Sequence, residues 1–141
     1  MASELLLLDT HCWLWVHLGL MPRMSRASLA AIQNAESYGN LRVSVISIWE
    51  LAMFEKRGRV ALAMNVRTWV EQALDKPGIA VAPLTPEIAI ESVHLPGNAL
   101  PADPADRMLV ATARVLGATL VTKDAQLLRY SQQRHVRALE A

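Results

Sequence analysis

The sequence predicts an α/β fold in which a central parallel sheet of four to five strands is flanked by helices on both sides. Short apolar runs without alternation, such as residues 4–9 (ELLLLD), are typical of strands that are covered on both faces. Longer segments with apolar residues at helical spacing separate these runs. Because the two patterns alternate along the chain, parallel pairing is favoured. We expect residues 1–141 to form one domain, since the length suits one domain.

The first half of the chain holds two predicted strands and four predicted helices. The first strand stops at Asp9, and the β-branched segment 41–47 (LRVSVIS) predicts the second. Residues that typically cap or end helices bound the helical segments. The four helices are predicted from the segment after Asp9 to Gly19, from Ser25 to Gly39, from Ser47 to Gly58, and from Asn65 to the turn at 75–78.

The second half repeats the alternation of strand and helix. Residues 79–83 (IAVAP) predict a third strand, and Thr85 with Pro86 begins a helix that ends near residues 95–97. Residues 95–104 contain three of the seven prolines and predict a stiff loop. Asp103 with Pro104 opens the next helix, residues 118–122 (ATLVT) predict a fourth strand, and residues 136–139 (VRAL) are a candidate fifth.

Composition excludes several classes of protein. Apolar residues make up 52% of the chain and charged residues 19%, which indicates a folded protein rather than a disordered one. A lone cysteine, Cys12, excludes a disulfide within the chain and a cysteine zinc cluster, and we expect it to be a buried thiol. Asp9 and His11 interrupt the longest apolar stretch, and no basic leader precedes it, so neither a membrane span nor a signal peptide is expected. We expect a cytoplasmic protein.

Four acidic residues stand where predicted elements meet. Asp9 ends the first strand, and Asp124 follows the fourth strand. Glu50 lies in the first turn of the helix predicted after the second strand. Asp106 opens the helix that leads into the fourth strand. Because sites in open parallel α/β sheets form outside the carboxyl ends of the strands, these acids predict an acidic crevice at that edge.

Helix capping is the alternative interpretation of these acids. The segments SIWE and DPAD both have the spacing of a capping box, which alone would explain Glu50, Asp103 and Asp106. Asp106, however, shares a helical face with apolar residues, and Asp9 ends a strand of leucines, where an unpaired carboxylate is costly. A divalent cation would satisfy converging carboxylates, and ligation by oxygen alone suits Mg²⁺ or Mn²⁺. Such an ion can activate water against a phosphodiester.

Three segments resemble the motifs of a known family. Residues 5–15 (LLLLDTHCWLW) resemble the opening strand and acid of PIN domains, residues 43–60 resemble their second acidic motif, and residues 103–127 resemble their third and fourth. The motifs occur in the right order and span nearly the whole chain. The chain is most similar to the VapC-type toxins of bacterial toxin-antitoxin modules. This resemblance implies a metal-dependent endoribonuclease of the bacterial cytoplasm, with an RNA substrate, a cognate antitoxin and a homodimeric state.

The resemblance also implies roles for individual residues. Asp9 and Asp106 would be direct ligands of Mg²⁺ or Mn²⁺, and Asp124 would complete the ligand set, through water if not directly. Glu50 would hold a second ion or orient the attacking water. Three further residues match positions that support these acids; Thr10 and Thr122 would hydrogen-bond the ligands, and Asp103 is interpreted mainly as a helix cap.

Basic and aromatic residues are candidates for contacts with partners. Arg107, Arg114 and Lys123 could bind RNA phosphates around the acids, although a solvated face is the alternative for each. The four tryptophans are expected in the core or in an interface, and the helices around Trp49 and Trp69 could form the homodimer contact.

Two other classes of function compete with the nuclease. A phosphoacceptor receiver would need paired acids at the first strand, where Asp9 stands alone, and a dehalogenase-like phosphatase would need a second Asp where this chain has His11. A non-catalytic α/β binding module, whose acids only cap helices and dock a partner, stays open.

Overall fold

The computed structural model describes residues 4–98 and 101–141, and these residues form five strands and seven α-helices. Residues 95–98 and 101–103 contain no helix or strand, as the predicted loop requires, and residues 99 and 100 of that prediction lie outside the described residues. In chain order the elements are β1 (Leu6–Leu8), α1 (Thr10–Leu18), α2 (Arg26–Ser37), β2 (Leu41–Ser44), α3 (Val45–Lys56), α4 (Val66–Leu74), β3 (Ile79–Ala82), α5 (Pro86–Val93), α6 (Pro104–Leu116), β4 (Thr119–Thr122), α7 (Ala125–Ser131) and β5 (Arg137–Glu140).

The five strands form one parallel sheet in the order β3-β2-β1-β4-β5. The predicted α/β fold is confirmed, and the candidate fifth strand is present as β5, paired with β4. Each strand is only three or four residues long. Stability therefore depends on burying both faces of the sheet under helices.

Alternate residues of β1 belong to two separate hydrophobic cores. Leu6 and Leu8 pack with α1, α2, α3 and α4, whereas Leu7 packs with α5, α6 and α7. All three leucines are buried, as expected for the central strand of a sheet covered on both sides. The run of leucines without alternation in the sequence is explained by this double burial.

The order of the strands reverses direction between β1 and β4. The chain builds β1, β2 and β3 toward one edge and then crosses back through α5 and α6 to place β4 on the other side of β1. The backbone N–H of Asp9 extends this pairing, since it donates to the Val121 carbonyl at 3.0 Å. A crevice is expected outside the carboxyl ends of strands at such a reversal.

Local predictions differ from the structure in two places. Strand β2 ends at Ser44 and helix α3 begins at Val45 with Ser44 as its N-cap, so the strand predicted over 41–47 is too long and the prediction that Ser47 caps this helix is wrong. Ser47 instead is buried in the first turn, where its hydroxyl lies 2.9 Å from that of Thr10. Helix α7 was not predicted from the sequence, and Asp124 is its N-cap.

The tryptophans separate into core and surface residues. Trp13 and Trp69 are buried and meet edge to face, with ring centroids 5.2 Å apart. Because Trp69 is in the core, it is not available for the predicted dimer contact. Trp49 is exposed.

Cys12 is a buried free thiol, as predicted. Burial is the main cause that raises the pKa of this thiol, and the nearby Asp9 charge raises it further.

Within the described residues, no helix has the length and apolar character that crossing a membrane requires.

The turn before β3 packs closely against the end of α2. Gly78 has φ +89°, and a Cβ there would lie 2.1 Å from the Glu36 carbonyl oxygen, whereas Gly39 has φ +73° and open space around it. Gly39→Ala should therefore lower the free energy of unfolding by about 1 kcal/mol through backbone strain. Gly78→Ala should lower the free energy of unfolding by roughly 2–3 kcal/mol more than that, because the backbone at Glu36 must shift to make room for the Cβ. Urea unfolding measures both, and equal losses would contradict this account.

Candidate active site

A pocket of about 630 Å³ lies outside the carboxyl ends of β1 and β4. All four acids predicted from the sequence line it, together with the predicted cap Asp103. These residues reach the pocket from the ends of β1 and β4 and from the N-terminal parts of α3 and α6. The five carboxylates are Asp9, Glu50, Asp103, Asp106 and Asp124.

Asp9 is buried at the end of the central strand, and both of its carboxylate oxygens accept hydrogen bonds. Oδ1 accepts the Cys12 N–H at 2.9 Å, which makes Asp9 the N-cap of α1. Oδ2 accepts the hydroxyl of Thr122, the last residue of β4. The Thr122 oxygen in turn accepts the Asp124 N–H at 3.0 Å. Thr122 therefore couples the two acids that follow the neighbouring strands.

Glu50 lies in the second turn of α3 and points into the pocket rather than back to the start of its helix. The Thr10 hydroxyl donates to Glu50 Oε1 at 2.6 Å. The capping interpretation of Glu50 is therefore wrong, because the helix begins at Val45. Burial raises the pKa of Glu50, an effect that the Thr10 hydrogen bond opposes and the Asp103 charge adds to.

Asp103 and Asp124 both cap helices and line the pocket at the same time. Asp103 accepts the Ala105 N–H at 2.9 Å as the N-cap of α6, which confirms its predicted capping role. Asp124 Oδ1 accepts the backbone N–H groups of Gln126 and Leu127 at 2.8 and 3.0 Å. Capping holds these carboxylates at helix N-termini, where the helix dipole stabilises negative charge.

Asp106 is the acid whose ionisation the pocket opposes most. It lies in the first turn of α6 and is half-buried, and its carboxylate makes no capping-box hydrogen bond to the Asp103 N–H. Burial raises the pKa of Asp106 to about 7, and the charges of Asp103, Asp124, Glu50 and Asp9 add to the effect. A cation in the pocket would oppose both causes. Such perturbation is typical of functional sites.

Cationic and aromatic side chains line the same pocket. Lys123, a predicted phosphate contact, is exposed there. Arg57 and Arg59 also line the pocket, and the sequence interpretation missed them. The signal was available, since residues 56–59 (KRGR) place three basic residues at the end of α3. The ring side chains that line the pocket are His11, Trp15, Trp49 and Phe54.

The structure does not bring Arg107 or Arg114 to the pocket. The Arg107 guanidinium donates to the carbonyls of Ser92, Val93 and Pro101 at 2.9, 3.3 and 3.2 Å, so it satisfies the C-terminal end of α5. Arg114 lies in the last turn of α6, where its Nε is 2.7 Å from Glu91 Oε1. Both side chains are occupied by contacts within the chain.

The carboxylates share a pocket but do not yet converge on a point. In residues 4–98 and 101–141, no group of three or more acidic, His or Cys side chains is close enough to form a ready-made metal site. Two oxygens of Asp9 and one of Glu50 face hydroxyl or amide donors. The donors nevertheless suit a hard divalent cation, because they are all carboxylate oxygens and because burial, with the neighbouring negative charges, already raises the pKa of Asp106. Binding would draw the carboxylates together.

Sequence comparison identifies the family. The model of the PIN domain matches residues 6–132. The chain belongs to the PIN domain family. It is 37% identical to Ribonuclease VapC22 of Mycobacterium tuberculosis over 130 residues, which cover 92% of this chain and 95% of that protein. PIN-domain ribonucleases are generally dependent on divalent metal ions. Family membership decides against the receiver and dehalogenase alternatives.

Solved structures with the same fold include VapBC, VapBC2 and FitAcB. The DNA-bound VapBC of Salmonella typhimurium aligns with a TM-score of 0.68 and 19% identity, over 99% of this chain and 98% of that one. VapBC2 of Rickettsia felis, bound to a promoter DNA fragment, aligns with a TM-score of 0.64 and 13% identity, over 96% of this chain and 97% of that one. FitAcB of Neisseria gonorrhoeae aligns with a TM-score of 0.63 and 19% identity, over 95% of this chain and 96% of that one. At these identities the likeness establishes the PIN fold.

The raised pKa of Asp106 predicts a pH-dependent gain in stability when its charge is removed. The pKa of Asp106 is about 7 in the folded protein, above the unfolded value of 3.8. Asp106 therefore does not destabilise the fold below pH 3.8, and the folded protein loses stability as pH rises from there toward 7. In EDTA, Asp106→Asn should raise the free energy of unfolding at pH 8 by roughly 1–2 kcal/mol, a figure reduced for solvent screening. The gain should fade near pH 4.

Urea unfolding of this PIN domain at both pH values checks that prediction, with the exposed Asp75→Asn as the matched control. An Asp106→Asn variant no more stable than the parent at pH 8, or equally stabilised at pH 4, would contradict it.

The contacts of Arg107 predict that this residue matters for stability rather than for the pocket. Arg107→Ala should lower the free energy of unfolding by about 2–3 kcal/mol, because the partly buried carbonyls of Ser92 and Pro101 lose a charged donor. Lys123→Ala should change it by less than about 0.5 kcal/mol, since that side chain is exposed. Similar small losses in urea unfolding for both variants would show that the Arg107 contacts do not stabilise the fold.

Proposed function

We propose that this PIN domain is a metal-dependent endoribonuclease that hydrolyses RNA phosphodiester bonds and acts as the toxin of a toxin-antitoxin pair. The observation that carries the proposal is the gathering of five carboxylates and three cationic side chains around one pocket at the reversal of strand order. The relative named Ribonuclease VapC22 supports RNA as the substrate. The VapBC neighbours support a protein partner of the antitoxin type.

Asp9 and Asp106 are proposed as the direct ligands of Mg²⁺ or Mn²⁺, with Asp124 completing the ligand set. Asp9 is already fixed by Thr122, which orients its carboxylate at the end of β1. Asp106 faces it from the start of α6, with a raised pKa that a cation would lower. A bound divalent cation supplies the positive charge that polarises the phosphodiester and favours ionisation of a water molecule.

Glu50 is proposed to orient the attacking water and accept its proton. Burial raises the pKa of Glu50, which makes its carboxylate a better proton acceptor near neutral pH than an exposed glutamate. The Thr10 hydrogen bond holds Glu50 Oε1, and the Ser47 hydroxyl lies against Thr10 on the buried side. Thr10 is therefore a positioning residue. The water oxygen forms a bond to phosphorus while the bond from phosphorus to the ribose oxygen of the leaving RNA fragment breaks, and that oxygen takes up a proton from solvent.

The RNA backbone is proposed to approach along the cationic side of the pocket. Lys123, Arg57 and Arg59 line it there, and the guanidinium groups match phosphate oxygens in pairs. Arg107 and Arg114, predicted from the sequence as RNA contacts, are not part of this proposal because other groups of the chain already bind them.

The partners are a cognate antitoxin that covers the acidic crevice and a second copy of the chain. Exposed apolar side chains on α5, chiefly Ile90 and Val93, provide a surface for the homodimer that the buried Trp69 does not. The proposed compartment is the bacterial cytoplasm.

The activity test compares substitutions at the pocket with one outside it. Purified free of partner, the parent chain should cleave RNA with Mg²⁺ or Mn²⁺ and lose cleavage in EDTA. Asp106→Asn should reduce the rate about a hundredfold or more, because a ligand is removed, and Thr122→Val about tenfold, because it only orients Asp9. Asp75→Asn, an exposed acid outside the pocket, should match the parent.

Retention of metal-dependent cleavage by both Asp9→Asn and Asp106→Asn would remove the pocket from the mechanism. Failure of the parent chain to cleave any RNA, together with an unchanged affinity for its partner when Asp9, Glu50, Asp106 and Asp124 are each replaced by the corresponding amide, would favour the non-catalytic binding module instead.

A further inference from the structure

Trp49 is a large side chain left on the surface beside the acidic pocket. It lies on α3, one residue before Glu50, and 55% of it is exposed. Trp13 and Trp69, by contrast, are buried and packed against each other. Exposure of an aromatic ring next to a site is a feature of binding surfaces rather than of cores.

A second pocket, of about 340 Å³, lies on the other side of Trp49. This volume falls within the usual range for small ligands, about 300–1,000 Å³. Among the described residues, its walls are apolar except for Asp103, and they come from α3, the start of α6 and the segment after β3. The apolar residues that form it with Trp49 are Val45, Ile46, Leu84, Pro104, Ala105 and Met108.

We propose that this second pocket, the Trp49 pocket, receives one base of a single-stranded RNA whose backbone phosphate lies in the acidic pocket. The base stacks on the Trp49 indole ring. This inference rests on the proposed ribonuclease function and adds a recognition subsite to it.

Continuity between the two pockets is the first argument. Trp49 and Asp103 line both pockets, so the two pockets adjoin and one ligand can occupy both at once. The adjacent nucleotide of a strand bound at the acids would lie directly beside Trp49. The cations Arg57, Arg59 and Lys123 line only the acidic pocket, as expected if phosphate binds there and a base binds in the apolar one.

The chemistry of the walls is the second argument. Proteins that bind single-stranded RNA stack its unpaired bases on aromatic rings, with apolar groups on the other face. Trp49 supplies the ring, Met108 and Leu84 supply flexible and branched apolar groups, and the small Ala105 leaves space between them. Asp103 supplies one polar group at the side that joins the acidic pocket, which suits the polar edge of a base better than an alkyl side chain.

The test measures binding of short single-stranded oligoribonucleotides in EDTA, so that it does not depend on cleavage. The parent chain is compared with Trp49→Ala, with the conservative Trp49→Phe and with Tyr38→Ala. Tyr38 is a matched control, because it is an aromatic residue with 57% exposure at the end of α2, outside both pockets. The same oligonucleotides are also made with abasic sites, which keep the phosphates and remove the bases.

We expect Trp49→Ala to weaken binding of ordinary RNA about tenfold and Trp49→Phe to retain most of the affinity. Tyr38→Ala should bind like the parent. On abasic RNA the difference between the parent and Trp49→Ala should fall below about twofold, because no base remains to stack. In cleavage assays Trp49→Ala should raise KM and leave kcat nearly unchanged, since the base contact is made before and during the reaction.

Three outcomes would overturn the inference: unchanged RNA affinity in Trp49→Ala, an equal loss on abasic RNA, or dissociation of a dimer or of an antitoxin complex without any base-dependent loss. The last outcome would assign the Trp49 pocket to a protein side chain. Failure of the proposed function is distinguishable, because it would abolish metal-dependent cleavage while leaving base-dependent binding in EDTA intact.

Discussion

The hydrogen bond from Thr122 to Asp9 is the interaction on which the site depends. It joins the residue that ends β4 to the acid that follows β1, at the place where the order of the strands reverses. A carboxylate at the end of a fully apolar strand would otherwise be costly to bury. Because Thr122 also accepts the Asp124 N–H, one hydroxyl fixes the relative positions of two acids. The parallel pairing of β1 with β4 is what brings these groups together.

Repulsion among the carboxylates is offset by the two cores on either side of the sheet. Each face of β1 is covered by its own cluster of helices, so the position of the strand ends is fixed by packing that does not involve the acids. The acids can therefore be held close enough for burial and like charge to raise the pKa of Asp106 and Glu50. A rigid scaffold that supports an unfavourable cluster of charge is typical of catalytic sites.

Most of the fold and four acids of the site could be predicted, because strand ends and helix caps are local signals. Asp9 and Asp106 follow such signals directly. Ser47 was misassigned as a cap because the β-branched segment before it continues without a break, and only its contact with Thr10, distant in sequence, explains its burial. The position of Arg107 away from the pocket was missed for a similar reason. The carbonyls that bind it belong to α5, and no sequence pattern shows that the end of that helix lies beside it.

The central claim is that the carboxylates of Asp9, at the end of β1, and Asp106, at the start of α6, together bind a divalent cation. Crystals grown with Mn²⁺ allow the ion to be located by its anomalous scattering. The account predicts a peak about 2 Å from carboxylate oxygens of both Asp9 and Asp106, with Glu50 and Asp124 turned toward it. A well-occupied peak away from these residues, or an ordered pocket with no peak at saturating Mn²⁺, would contradict it.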